Sequence, residues 1–139
     1  MRRKASGALA VSFILDADLD LLRIPPQRKP GFADGLWRHT CFEVFVARKG
    51  ARAYREYNFS PSGEWAAYAF SSYRKRGRGK VVRPRWDGRV AAIEARGRLK
   101  IGLSAVIEEE SGALSYWALR HPPGKPDFHD RRAFALELA

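Results

Sequence analysis

The sequence predicts an all-β fold, an antiparallel sandwich or barrel. Three observations point that way. Short β-prone runs recur at roughly 8–12-residue spacing, turn residues separate them, and helical periodicity is confined to two brief stretches. With 139 residues and 45% hydrophobic side chains the chain reads as one domain, 1–139, able to bury a core without disulfides.

In chain order, the apolar residues 8–15 are expected to form the first strand, and Asp16–Leu22 a short helical turn. Residues 38–47 alternate strictly. Thr40, Phe42, Val44 and Val46 fall on one face, and His39, Cys41, Glu43 and Phe45 on the other, with Trp37 extending the second row. Ala47–Ala53 is the second candidate for a helical turn. Residues 54–60 and 64–71 are aromatic-rich runs around Ser60-Pro61-Ser62-Gly63, a type I turn composition, so they form a hairpin. Further strands are expected at 81–86, 89–96, 98–107 and 113–120, punctuated by Asp87-Gly88, Gly97 and Glu110-Ser111-Gly112. Phe134–Leu138 closes the chain as a final strand.

The formal charge is +11, but the excess is local. Residues 71–100 carry 11 basic and 2 acidic side chains, whereas 101–139 carry 4 and 6. A glycine-punctuated basic run, residues 73–80, is a solvated loop first and a phosphate-binding arm second. Any nucleic-acid binding through it is expected to be weak and non-specific. No stretch nears the ~18 consecutive apolar residues of a membrane helix. Met1-Arg2-Arg3-Lys4 before an apolar run has the outline of a leader. That run is short, lacks a small-residue cleavage site and leads into Asp16, Asp18 and Asp20, so a cytoplasmic protein with a free thiol is expected.

Catalytic motifs are absent: there is no phosphate-binding glycine loop, nucleophile elbow or His-Glu-x-x-His. His39, His121 and His129 lie far apart in sequence, and Cys41 sits mid-strand as an inert thiol. The expectation is therefore no enzyme, no metal and no cofactor. Two segments could instead hold a ligand. In the first, Trp37, His39, Cys41 and Glu43 share a face. Glu43, a carboxylate among apolar neighbours, must be hydrogen-bonded, face a ligand or pair with a cross-strand arginine. In the second, a strand delivers Trp117, Leu119 and His121 to one face. A loop stiffened by Pro122, Pro123 and Pro126 then presents Lys125, Asp127 and His129, as a ligand rim or as plain architecture. Asn58 is grouped with Glu64 and Tyr68 near the hairpin turn.

Three runs together resemble the bacterial DOMON-like proteins, related in fold to carbohydrate-binding module family nine. They are Leu36–Val46, Tyr54–Tyr68, and Leu119-Arg-His-Pro with Pro126-Asp-Phe-His129. The resemblance spans residues 8–138 and implies a jelly-roll β-sandwich in a superfamily whose members bind sugars or haem. In the sugar-binding modules a tryptophan six positions before a strand glutamate forms one wall of a sugar sandwich, as Trp37 precedes Glu43 here. Trp117 is the expected second wall, with Trp65 as its rival. A pyranose needs flat aromatic walls and a few placed polar groups. Trp37, His39, Glu43, Asn58, Trp117 and His121 are therefore the expected site of a non-catalytic carbohydrate or sugar-like metabolite binder. Haem binding, a basic nucleic-acid-associated protein and a ligand-free structural domain are the alternatives.

Overall fold

The computed structural model describes residues 1–78 and 81–139. Twelve strands form two sheets packed face to face, a β-sandwich, and only three short 3-10 turns interrupt them among the described residues. The smaller sheet comprises β1 (Arg2–Arg3), β2 (Ala8–Val11), β8 (Arg85–Trp86) and β9 (Ala91–Glu94), in the order β1-β2-β9-β8. The larger sheet runs β11-β10-β4-β5-β6-β3. Its members are β3 (Gly31–Phe32), β4 (Cys41–Arg48), β5 (Tyr54–Phe59), β6 (Glu64–Ser72), β10 (Leu99–Glu108) and β11 (Leu114–Ala118). β7 (Lys75–Arg76) adds to β6 and β12 (Leu136–Leu138) to β10. All pairings are antiparallel except β3 with β6.

Alternation builds the core. Val44 and Val46 of β4, Tyr57 and Phe59 of β5, and Leu99 and Ile101 of β10 face Leu9, Val11, Ala91 and Ile93 of the smaller sheet. Trp86 closes one end, its ring 5.1 Å from that of Phe59 and its indole N–H donating to the Ser60 carbonyl. The outer face of the larger sheet has no second sheet. Its Phe45, Tyr54, Tyr68 and Phe70 pack instead against Ala133 and Phe134 from the C-terminal segment. Gly102 permits this approach: a Cβ there would lie 3.1 Å from the Phe134 ring and 3.4 Å from the Phe45 Cβ.

The hairpin at 60–63 forms as its composition requires, with Gly63 N–H donating to the Ser60 carbonyl. Several boundaries differ from the sequence reading. The 81–86 run is strand only at Arg85–Trp86, because Pro84 has no N–H for a ladder. Ala47–Ala53 is not helical: Ala47 pairs with Tyr54 and Lys100, and the chain turns at 49–50. Asp16–Leu22 yields one 3-10 turn, Leu19–Leu21, with Asp18 accepting from the Asp20 N–H. The larger correction lies at 36–39. Leu36–Arg38 is a 3-10 turn entered through Gly35 at φ 75°, and β4 begins only at Cys41, so Trp37 and His39 are not strand neighbours of Glu43.

Candidate functional site

Strand register dictates what the outer face presents. Ser104, Glu43, Asn58 and Ala66 stand abreast on β10, β4, β5 and β6. The next row is Gly102, Phe45, Glu56 and Tyr68. On the other side Val106 registers with Cys41 and, on β11, with Tyr116. Phe134 and its neighbours cover part of this face. The remainder is a cavity of about 580 Å³.

The cavity is aromatic around its sides and acidic on its floor. Trp37, Tyr68, Tyr116 and Phe128 form walls, Glu43 and Glu56 lie at the bottom, His129 closes one side, and Arg38, Arg74 and Arg76 reach its margin. Trp37 arrives from the 3-10 turn rather than the strand, and its ring stands edge-on to Tyr68 with centroids 6.5 Å apart.

Glu43 is 3% exposed and accepts a 3.3 Å hydrogen bond from the Ser104 hydroxyl. Burial, and secondarily the charge of Glu56, push its pKa up to about 8, so at neutral pH it is largely the protonated acid. No arginine pairs with it among the described residues. Glu56 is also pushed up, by burial, against the pull of the Asn58 amide, Arg76 and Arg74. That amide is completely buried beside it yet outside hydrogen-bond geometry. Among the described residues, neither Asn58 Oδ1 nor Nδ2 has a partner.

His129 is held down to about pKa 4, by burial first and then by Arg74. Its 3.5 Å approach to Glu56 is therefore not an ion pair at neutral pH, because the imidazole is neutral. Its other ring nitrogen meets Tyr54. The Tyr54 hydroxyl accepts from the Arg74 backbone N–H and lies 2.8 Å from His129 Nδ1, while Nε2 faces Glu56. Arg74 adopts φ 52°, a costly backbone for a non-glycine residue, and its side chain pairs with Asp127 at 2.9 Å.

Of the residues expected from sequence, Trp37 and Glu43 line the cavity, while Asn58 stands beside Glu43 on the outer face but is fully buried and does not line it. Nor does His39: its Nδ1 lies 2.7 Å from Glu108, which Arg23 also holds, in a separate groove. Trp117 is on the wrong face. It registers with Ala105, and Ala105 with Phe42, so parity turns it toward the inner side. There, on an edge strand, it is 65% exposed and donates to Ser115. Trp65, in register with Phe59, also faces inward, and Tyr116 supplies the wall expected of either. His121 stays exposed behind the Phe128 ring, 6.2 Å away, and does not line the cavity. Glu64, grouped with Asn58 in the sequence reading, instead holds the Ser62 hydroxyl and Arg28.

Glu56, His129, Tyr68 and the three arginines complete the site. Glu56 could have been found, since it precedes Asn58 by two on the same strand and must share its face. Cys41 is the buried, free thiol expected. Among the described residues no cluster of His, Cys, Asp or Glu is arranged to hold a metal, and no helix is long and apolar enough to cross a membrane. Comparison with protein-family models, curated protein sequences and solved structures returned no match. The fold and cavity thus define a class, a β-sandwich with a polar-floored pocket on its outer face.

Proposed function

We propose that this pocket is a non-catalytic binding site for a carbohydrate or a sugar-like polar metabolite. One observation carries the reading. A cavity of ligand size joins aromatic walls to two buried carboxyl groups, Glu43 and Glu56, on its floor. Such an arrangement suits a molecule with flat apolar faces and a hydroxylated edge. Trp37, Tyr116 and Phe128 offer the stacking surfaces, while the Glu43 acid can donate one hydrogen bond and accept others. The resemblance to DOMON-like proteins and to carbohydrate-binding module family nine supports the same function, with Trp37 as a wall and a jelly-roll sandwich as scaffold. The glutamate acts there as a neutral acid rather than a carboxylate, and the second wall is Tyr116.

Calorimetric titration with a panel of mono- and oligosaccharides tests this. Loss of an aromatic wall removes apolar contact worth about 1.5–3 kcal/mol, or roughly 10- to 150-fold in affinity. Trp37→Ala and Tyr116→Ala are expected to weaken binding within that range while melting temperatures hold. No binding across the panel, or undiminished binding in both variants, refutes the proposal.

A further inference from the structure

We propose that the ligand of this pocket is acidic: a sugar or sugar-like metabolite bearing a carboxylate or phosphate, gripped by Arg38 and Arg76. The inference rests on reading the cavity as a binding site and names the chemistry of what enters it. Three arginines reach the cavity, and only Arg74 is committed to a carboxylate, Asp127. Arg38 and Arg76 make no side-chain hydrogen bond or ion pair among the described residues.

Each guanidinium lies near an aromatic ring of the site. The Arg76 guanidinium lies 3.9 Å over the Tyr68 ring, and that of Arg38 is 5.7 Å from the Trp37 ring. A cation–π contact spends none of the N–H groups of a guanidinium, which remain available to grip a carboxylate or phosphate with paired hydrogen bonds. The nearby carboxylate, Asp34, accepts from the Tyr68 hydroxyl and feels the charge of both arginines, but forms an ion pair with neither among the described residues. On the floor, burial holds Glu43 largely in its neutral acid form at neutral pH, and Glu56 lies within the pull of Arg74 and Arg76. A neutral sugar would leave both forks unused, while an acidic one fills them and draws on the +11 charge of the chain for its approach.

The test compares D-glucuronate, glucose 6-phosphate and D-glucose by calorimetry on the whole chain and on its Arg38→Gln and Arg76→Gln variants, with thermal melts of each. We expect at least one acidic sugar to bind tenfold or more tighter than glucose. Each substitution should weaken the acidic sugar about tenfold more than glucose, the scale of one charge-assisted hydrogen bond. Preference for glucuronate or for the phosphate identifies the anion. Glucose binding as tightly as both acids, or an acidic preference surviving both substitutions, overturns the inference and leaves the sugar reading standing. If none of the three sugars binds, the inference falls, and the wider saccharide panel then decides the sugar reading. Should either variant fail to fold, a preference for the acidic sugars that survives in part as sodium chloride rises from 0.05 to 0.3 M supports paired contacts with the arginines, and its complete loss overturns them.

Discussion

Replacing Glu43 with glutamine should flatten the alkaline side of the protein's stability profile. Burial raises this carboxyl from the ordinary 4.5 to about 8 in the folded state. The folded chain therefore holds a proton that the unfolded chain releases, and the stability this confers is complete below about pH 4.5 and lost as pH rises through about 8. His129 works the other way. Its pKa falls from 6.5 to about 4 on folding, so its contribution is complete above pH 6.5 and lost as pH falls through 4. Between about pH 4.5 and 6.5 the two slopes oppose each other. Above that His129 no longer contributes, and Glu43, with Glu56 acting in the same direction, removes about 1.4 kcal/mol per pH unit, so roughly 2 kcal/mol disappears between pH 6.5 and 8. Glutamine mimics the protonated acid, can still accept from Ser104 and has no proton to lose. Urea melts at half-unit steps from pH 5.5 to 8.5 should show wild-type stability falling by about that amount while that of Glu43→Gln falls less. A wild-type profile flat from 6.5 to 8, or an equal slope in the variant, would refute a buried, neutral Glu43.

Three further outcomes follow from the same geometry. Trp117→Ala should change neither melting temperature nor saccharide affinity, because the ring is 65% exposed on the face away from the pocket; weakened binding in a calorimetric titration would contradict its placement. Gly102→Ala should lower stability by about 1–3 kcal/mol in denaturant melts, since the new methyl group meets Phe134 at 3.1 Å, and an unchanged midpoint would argue against the C-terminal segment lying on the sheet. Binding of the basic run at 73–80 to a short DNA duplex should vanish as salt rises from 50 to about 200 mM, because only phosphate contacts are on offer; sequence-selective binding persisting at the higher salt would favour a nucleic-acid partner instead. Of that run, Gly79 and Lys80 lie outside the described residues.

The sandwich was legible because alternation and turns are local. Phe42, Val44 and Val46 declare one face of β4, and Ser60–Gly63 declares its hairpin. The site was only partly legible, for reasons equally specific. Glu43 and Asn58 stood out as polar residues in apolar strands, and the register puts them side by side. Trp37 was assigned to the right place for the wrong reason. Periodicity was extended four residues beyond the true strand start, whereas Gly35 begins a turn that swings the ring in from outside. The error at Trp117 was one of parity: a strand's alternation is visible in sequence, but which set of side chains faces which side depends on its partner's register. The contacts of His129 with Glu56 and Tyr54 join residues 73 and 75 positions apart, and no local pattern encodes them.

The most direct test of the account uses the four tryptophans as position markers. Trp37 lines the pocket, Trp65 and Trp86 belong to the inner side of the sandwich, and Trp117 lies on the face opposite the pocket. Each indole N–H gives its own signal in a nitrogen-15 correlation spectrum, to be followed while glucuronate, glucose 6-phosphate and neutral sugars are titrated in. The account predicts a saturable shift of the Trp37 signal with the other three unmoved. A titration that shifts Trp117 and leaves Trp37 still, or one in which no indole moves for any sugar, would contradict it.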